Sequence, residues 1–324
     1  MHKKLAHKLD TQFKQEVYQG LTSYPKFLSS KYIYDKEGDA LFQDIMNMPE
    51  YYLTNTEFSI LETYKEQLAH HFSHDKKPFH LIEMGAGDGK KTKILLHHFT
   101  NKKLDFTFSP IDISQNALDS LQADLKVEIP ELSTKPLQGT YFETLKKLNF
   151  ATNERKVILF LGSNIGNLLH DQAIEFLSQI QEYMQPNDLL FIGFDQKKNP
   201  QTILDAYNDA TGITARFNKN LLVRINRELE ADFDMDSFMH WEVYNPESGT
   251  AKSYLVAQSP QEVRIEKLNL DLTFNAWETI HTEISQKYDD KTVHWLAEKS
   301  GLKVLETFSD TKNYYKNYLF TKSV

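Results

Sequence analysis

The sequence predicts an α/β fold, a doubly wound, Rossmann-like parallel sheet with an inserted α+β domain. Three observations predict it. From about residue 75 to 196 short apolar runs alternate with helical spacings, the rhythm of βαβ units and of a parallel sheet covered by helices. Three of the 12 glycines fall within five residues, Gly85, Gly87 and Gly89, directly behind the first apolar run. After Pro200 the pattern turns to alternating apolar and polar positions, and the strand–helix rhythm returns only at the end of the chain.

Taken in order, residues 1 to about 60 read as helical and aromatic-rich, with Phe13, Tyr18, Tyr24, Phe27, Tyr32, Tyr34 and Phe42. Pro49 and the Tyr51-Tyr52 pair mark a loop, and 56–69 resumes helical spacing. Strands are expected at 79–84, 106–111, 136–140, 157–161 and 189–194, with helices at 92–99, 114–125 and 171–184. Ser114 is placed to cap the second of these helices. Helices at 203–208 and 215–229 follow, then antiparallel strands at 239–244, 252–257, 263–268 and 277–284. The chain closes with a helix at 291–300, Gly301 behind it, and strands at 302–308 and 315–320. The expected division is 61–196 with 288–324 for the sheet domain, and 1–60 with 197–287 for the second.

The composition narrows the function. A net charge of −8 among 324 residues argues against a nucleic-acid surface. The absence of cysteine removes disulfides, thiolate zinc sites and cysteine nucleophiles. The basic start, 1–8, has no apolar segment behind it, and no run approaches ~18 apolar residues, so neither a signal peptide nor a membrane span is expected. A cytoplasmic, monomeric enzyme is the default expectation.

The glycine stretch reads strand, turn, helix, the unit in which a backbone approaches a nucleotide-like ligand closely. It lacks the Gly-Lys-Ser/Thr of a phosphate-cradling loop, and Lys90 occupies the place of a dinucleotide fingerprint's third glycine. What stands there is acid-x-Gly-x-Gly-x-Gly, beginning at Glu83. That is the pattern of S-adenosylmethionine (SAM) sites, and Asp112, ending the next apolar run, is placed to accept ribose hydroxyls. Another nucleotide on a similar sheet is the alternative.

Other groups carry two readings each. His70, His71 and His74 share a helix face as metal ligands would, or simply face solvent beside Asp75, Lys76 and Lys77. Asp232, Asp234 and Asp236 start like a calcium loop, but Ser237 replaces its glycine and Val243 its glutamate, which favours an acidic turn. Residues 162–167, Gly-Ser-Asn-Ile-Gly-Asn, follow a strand directly and so lie at the ligand-binding edge of an open sheet. Glu283 and Ser285 fall on one face of a strand, and Tyr207 on a helix. Taken alone, Glu283 would be a solvated carboxylate and Tyr207 a packing aromatic.

Four stretches, 47–57, 160–168, 206–220 and 226–234, resemble the SAM-dependent histidine N-α-methyltransferases of ergothioneine biosynthesis, in that family's order. The resemblance runs from about Tyr32 to the C-terminus. It implies a class I SAM methyltransferase sheet with an inserted substrate domain, SAM as co-substrate without a metal, and L-histidine methylated three times on its α-amine to give hercynine. It places Gly85, Gly87, Lys91 and Asp112 on SAM, with Tyr141 and Phe142 at the adenine. It places Tyr51, Asn167, Tyr207, Glu283 and Ser285 on histidine, with Tyr34 close by. The faces of Tyr34 and Tyr51 would then serve catalysis, since ring quadrupoles accept an amine that grows into a quaternary ammonium. Two positions depart from the family's pattern. Tyr141 replaces an acid, which turns an adenine hydrogen bond into a stack. Ser253 replaces a larger apolar residue, which implies a roomier or more polar imidazole pocket. A relative acting on another aromatic amino acid or amine is the alternative within the class, and a SAM-binding regulatory protein without turnover is the alternative outside it.

Overall fold

The computed structural model describes residues 9–151 and 154–323. The basic N-terminal segment, 1–8, lies outside them. The chain divides into two compact units, Met1–Tyr52 with Lys198–Ser285, and Leu53–Lys197 with Gln286–Val324.

The second of these units is built on a seven-stranded sheet. Its strands are β2 (Phe79–Met84), β3 (Phe106–Asp112), β4 (Leu137–Gln138), β5 (Arg155–Phe160), β6 (Leu189–Asp195), β12 (Leu302–Ser309) and β13 (Tyr315–Lys322), in the order β12-β13-β6-β5-β2-β3-β4. Strands β2 to β6 run parallel, and β13 is antiparallel to both β6 and β12. Every residue of β2, β5 and β6 is buried, which is why these segments are mostly apolar, and their few polar side chains, among them His80 and Glu83, are buried too. From β2 the chain moves outward to β3 and β4, then returns to β5 on the other side. The carboxyl ends of β2 and β5 therefore form the topological switch point, where open sheets bind ligands.

Helices Tyr52–Phe72, Lys90–Asn101, Gln115–Glu128, Tyr141–Ala151, His170–Tyr183 and Asp290–Lys299 belong to this unit. Ser114 caps Gln115–Glu128 by accepting from the Ala117 N–H. Buried Phe99 stands edge-on to Phe72, Phe79 and Phe106, and truncating it to alanine would cost about 3–5 kcal/mol.

The other unit carries a four-stranded sheet in the order β1-β11-β8-β7, from β1 (Lys26–Phe27), β7 (Phe238–Asn245), β8 (Thr250–Ala257) and β11 (Thr279–Gln286), plus a hairpin of β9 (Gln261–Ile265) and β10 (Leu270–Phe274). Helices Gln12–Thr22, Lys36–Asn47, Pro200–Tyr207 and Ile213–Leu229 complete it. Its core joins Val17, Leu21 and Ile45 to Phe217, Leu221, Ile225, Phe238, Leu255 and Ile280. Among the described residues no helix is long and apolar enough to cross a membrane.

Several boundaries differ from expectation. The run 263–268 splits into β9 and a short 3-10 turn, Glu266–Leu268, and β10 follows where no strand was expected. Residues 136–140 contribute only the two-residue β4. The N-terminal stretch, read as helical, inserts β1, which pairs in parallel with β11. A two-residue strand is too short to show a period. The helix expected at 56–69 spans Tyr52–Phe72, and the units part at 52/53 rather than 60/61. The reason lies in its inward stripe of Leu53, Glu57, Ile60, Leu61 and Leu68, of which Glu57 binds groups of the sheet unit. The later borders fall at 197/198 and 285/286.

Candidate active site

In the sheet unit the site begins where β2 runs into the glycine turn. Gly85, Gly87 and Gly89 all take left-handed backbone conformations. A Cβ on Gly85 would lie 2.8 Å from the Tyr141 hydroxyl oxygen, whereas one on Gly87 would meet nothing within 4 Å. The first glycine thus serves internal packing, and the second faces open space.

The turn is stitched to the end of β3. The N–H groups of Gly85 and Ala86 donate to the Ile111 carbonyl at 2.9 and 3.2 Å. The Gly87 N–H donates to Asp112 Oδ2 at 3.2 Å, and Ser114 N–H to Asp112 Oδ1 at 2.9 Å. Each carboxylate oxygen keeps lone pairs for further donors, as a vicinal diol requires. Helix Lys90–Asn101 starts at Gly89, which offers no side-chain cap, and its first N–H, that of Lys90, donates to Asp88 Oδ1 at 3.1 Å.

Beneath the turn Glu83 is buried and accepts from the Thr92 hydroxyl, while its Oε2 has no partner. Burial pushes this carboxyl up to about 8. Lys91 donates at 2.6 Å to Glu57, whose carboxylate also accepts from the Gly162 N–H. Tyr141 and Phe142 open helix Tyr141–Ala151 and pack edge-on against Phe160 and Phe176. Burial, helped by the charge of Asp112, pushes the Tyr141 phenol up to about 12, so it is a neutral donor at physiological pH.

These features fit SAM. A helix start behind a glycine turn, a carboxylate at the end of β3 and an orphaned buried oxygen answer a ligand that carries a diol, an ammonium and a carboxylate. Behind β5, Gly162 and Ser163 are both left-handed, and the 3-10 turn Asn164–Asn167 follows, with Asn167 exposed. Two consecutive left-handed residues, one of them not glycine, mark a turn held by its surroundings.

In the other unit the structure brings together Tyr34, Tyr51, Tyr207, Glu283 and Ser285. The Tyr207 and Ser285 hydroxyls lie 2.7 Å apart. Tyr51 stands edge-on to Tyr207 at 6.2 Å and to Phe42 at 6.4 Å, and Tyr34 packs edge-on against Phe42 and Phe217 at 5.5 and 5.4 Å. Burial raises the Tyr34 phenol well above its ordinary value, and the charge of Glu283 adds to that, followed by Tyr51 and Tyr207. Buried His240 contacts the Tyr207 carbonyl at 2.9 Å through Nε2, and burial holds the imidazole neutral. In that state Nε2–H is the donor.

The other groups singled out in the sequence find partners within the fold, and the acidic turn favoured at 232–236 is present. Ser253 links β8 to β7. It is buried and donates to Glu242 at 2.6 Å, and its carbonyl accepts from Thr282. His71 pairs with Glu306 and His74 with Arg155. Asp234 caps the turn Met235–Ser237, and Asp232 accepts from the Arg264 N–H. Among the described residues no group of three His, Cys, Asp or Glu is placed to hold a metal. Glu57 had no assigned role in the sequence, although its position among Leu53, Ile60 and Leu61 puts an acid on an apolar helix face. Phe42 and Phe217 were likewise unassigned.

Comparison with known proteins agrees with this chemistry. A family model described as a SAM-dependent, histidine-specific methyltransferase matches residues 13–322. Over 297 residues the chain is 36 % identical to a histidine N-alpha-methyltransferase of Mycolicibacterium smegmatis, covering 92 % of this chain and 91 % of that protein. The corresponding protein of Mycobacterium tuberculosis is 34 % identical with the same coverage. Ergothioneine biosynthesis protein 1 of Schizosaccharomyces pombe is 29 % identical over 301 residues, covering 91 % of this chain and 39 % of that protein.

Proposed function

The chain belongs to the SAM-dependent, histidine-specific methyltransferases, and from that membership we propose that it methylates the α-amine of L-histidine three times, giving hercynine for ergothioneine biosynthesis. The observation that supports this reading best is the cluster of Tyr34, Tyr51, Tyr207, Glu283 and Ser285 in one compact unit. It combines aromatic faces, neutral hydroxyls and one carboxylate.

SAM, when bound, supplies an electrophilic methyl group on a sulfonium and leaves as S-adenosylhomocysteine. The residues of this chain then have to orient the amine and keep its lone pair free. In the proposed mechanism Tyr207 holds the histidine carboxylate with a neutral donor and so brings no fixed cation to the reacting amine. Glu283 accepts the imidazole N–H and Ser285 meets the ring's other polar edge. Each transfer releases one proton, and the third leaves a fixed positive charge on nitrogen. Tyr34 and Tyr51 tolerate that change because a ring face attracts a cation without requiring an N–H.

The test is incubation of the purified protein with SAM and each of the 20 amino acids, followed by mass spectrometry. Histidine should gain one, two and then three methyl groups, the trimethylated form accumulating. Preferred turnover of another aromatic amino acid would overturn the substrate assignment, and products that stop at one methyl group would overturn the three-fold transfer.

A further inference from the structure

Glu57 is fully buried in the apolar stripe of helix Tyr52–Phe72. A carboxylate so placed costs several kcal/mol unless its oxygens are satisfied. Here they are, by three separate segments of the sheet unit. Oε2 accepts from Lys91 Nζ at 2.6 Å and from the Gly162 N–H at 2.8 Å, and Oε1 accepts from Asn317 Nδ2 at 2.9 Å. A fourth segment makes room. A Cβ on Gly193, in β6, would lie 2.3 Å from Glu57 Oε1 and 2.2 Å from the Tyr315 hydroxyl oxygen. Only glycine at that position lets the carboxylate and the phenol both reach the sheet.

Lys91 lies one residue inside the helix that starts at the glycine turn, and Gly162 opens the turn behind β5. Glu57 is thus the common anchor of both turns at the switch point. We propose that Glu57 is a positioning residue that holds Lys91 and the Gly162 turn in the cofactor site, and that its charge sets the preference for SAM over S-adenosylhomocysteine.

The charge argument is elementary. SAM carries a sulfonium, an ammonium and a carboxylate, a net charge of +1, whereas S-adenosylhomocysteine is neutral overall. Both ligands present the same amino-acid end. Lys91 paired with Glu57 adds no net charge to the site; Lys91 without Glu57 adds one positive charge and selects against the sulfonium. The proposal rests on the assignment of Lys91 to the cofactor.

Calorimetric titration of both ligands into the wild type, Glu57→Gln, Lys91→Met and the double variant tests it. Glu57→Gln should raise the ratio Kd(SAM)/Kd(S-adenosylhomocysteine) about 3- to 10-fold, the effect of one uncompensated charge at roughly 10 Å in a partly screened site. The double variant removes the ion pair as a unit and strands no lone charge, and thermal unfolding of each variant shows that the protein titrated is folded. The double variant's ratio should return toward the wild-type value and exceed that of Lys91→Met by the same factor. A ratio unchanged in both comparisons would reduce Glu57 to a structural brace and overturn the proposal. Wild-type affinity for both ligands in Lys91→Met would instead remove Lys91 from the cofactor site.

Discussion

Glu283 and Asp112 are both carboxylates at or near strand ends, and their neighbours set them different tasks. Asp112 is engaged by two backbone N–H groups of the turns it borders, so its position follows from the sheet. Replacing it by alanine should weaken SAM binding by about 1–3 kcal/mol, the loss of charge-assisted hydrogen bonds to a diol, read by calorimetry. Unchanged affinity would place the ribose elsewhere. Glu283 lies among phenols in the other unit. Glu283→Ala should lower kcat/KM for histidine about 10- to 200-fold and leave SAM affinity as it was. It should also discriminate less against amino acids whose rings lack the N–H, since no carboxylate is left unpaired. A parallel loss of SAM affinity would mean that the substitution disturbs more than imidazole recognition.

Strand β2 shows how an element ties the site to stability. It carries two buried titratable groups, His80 and Glu83, which work in opposite directions. Burial pulls the His80 imidazole down to about 4. Between that value and about 6.5 the unfolded chain binds a proton that the folded protein does not, so this contribution rises with pH and is complete above 6.5. Glu83, pushed up to about 8, does the reverse. Its contribution is fully present below the unfolded value near 4.3 and is lost as pH climbs toward 8. Of the two, only Glu83 still titrates between pH 6.5 and 8. Glu83→Gln, which stays neutral, should therefore gain on the ligand-free wild type by about 1–2 kcal/mol across that interval in urea denaturation. Curves with the same pH dependence would show that Glu83 is ionised in the fold.

At the scale of the whole molecule the chain divides into two compact units. One holds the glycine turn, Asp112 and the Asn167 turn, and the other the phenol cluster with Glu283. The Tyr34 phenol is raised well above its ordinary value, so it stays protonated and takes no proton from the amine. The proposed reaction leaves that proton to solvent. At subsaturating histidine the rate should climb from pH 6 to pH 8, approaching tenfold per unit while the protonated amine predominates. A flat profile would mean that a group in the site removes the proton.

The glycine turn, Asp112 and the turn behind β5 were legible in the sequence because each sits next to a strand whose apolar run is unmistakable, and a parallel sheet presents strand ends at a common edge. The resemblance to the methyltransferases named the remaining candidates, and Tyr34, Tyr141, Phe142, Glu283 and Ser285 lie outside the four stretches that carry it most clearly; a family model matching 13–322 shows the membership. Local pattern reaches no further than a few turns of chain. Pairing of β1 with β11 joins residues more than 250 positions apart, and two residues have no period to read, whereas β10 does alternate Leu270, Leu272 and Phe274 with Asp271 and Thr273, a five-residue signal that was there to find. Ser253 finds its partner Glu242 across an antiparallel pair, a contact set by register that local sequence does not show. Glu57 stood in a quoted stretch without a role. What made it an anchor was the meeting of Lys91, Gly162 and Asn317 around one buried carboxylate. Sequence determined which elements form and which residue types stand at their ends; tertiary structure decided which distant groups satisfy one another, because a buried charge draws its partners from wherever the fold brings them.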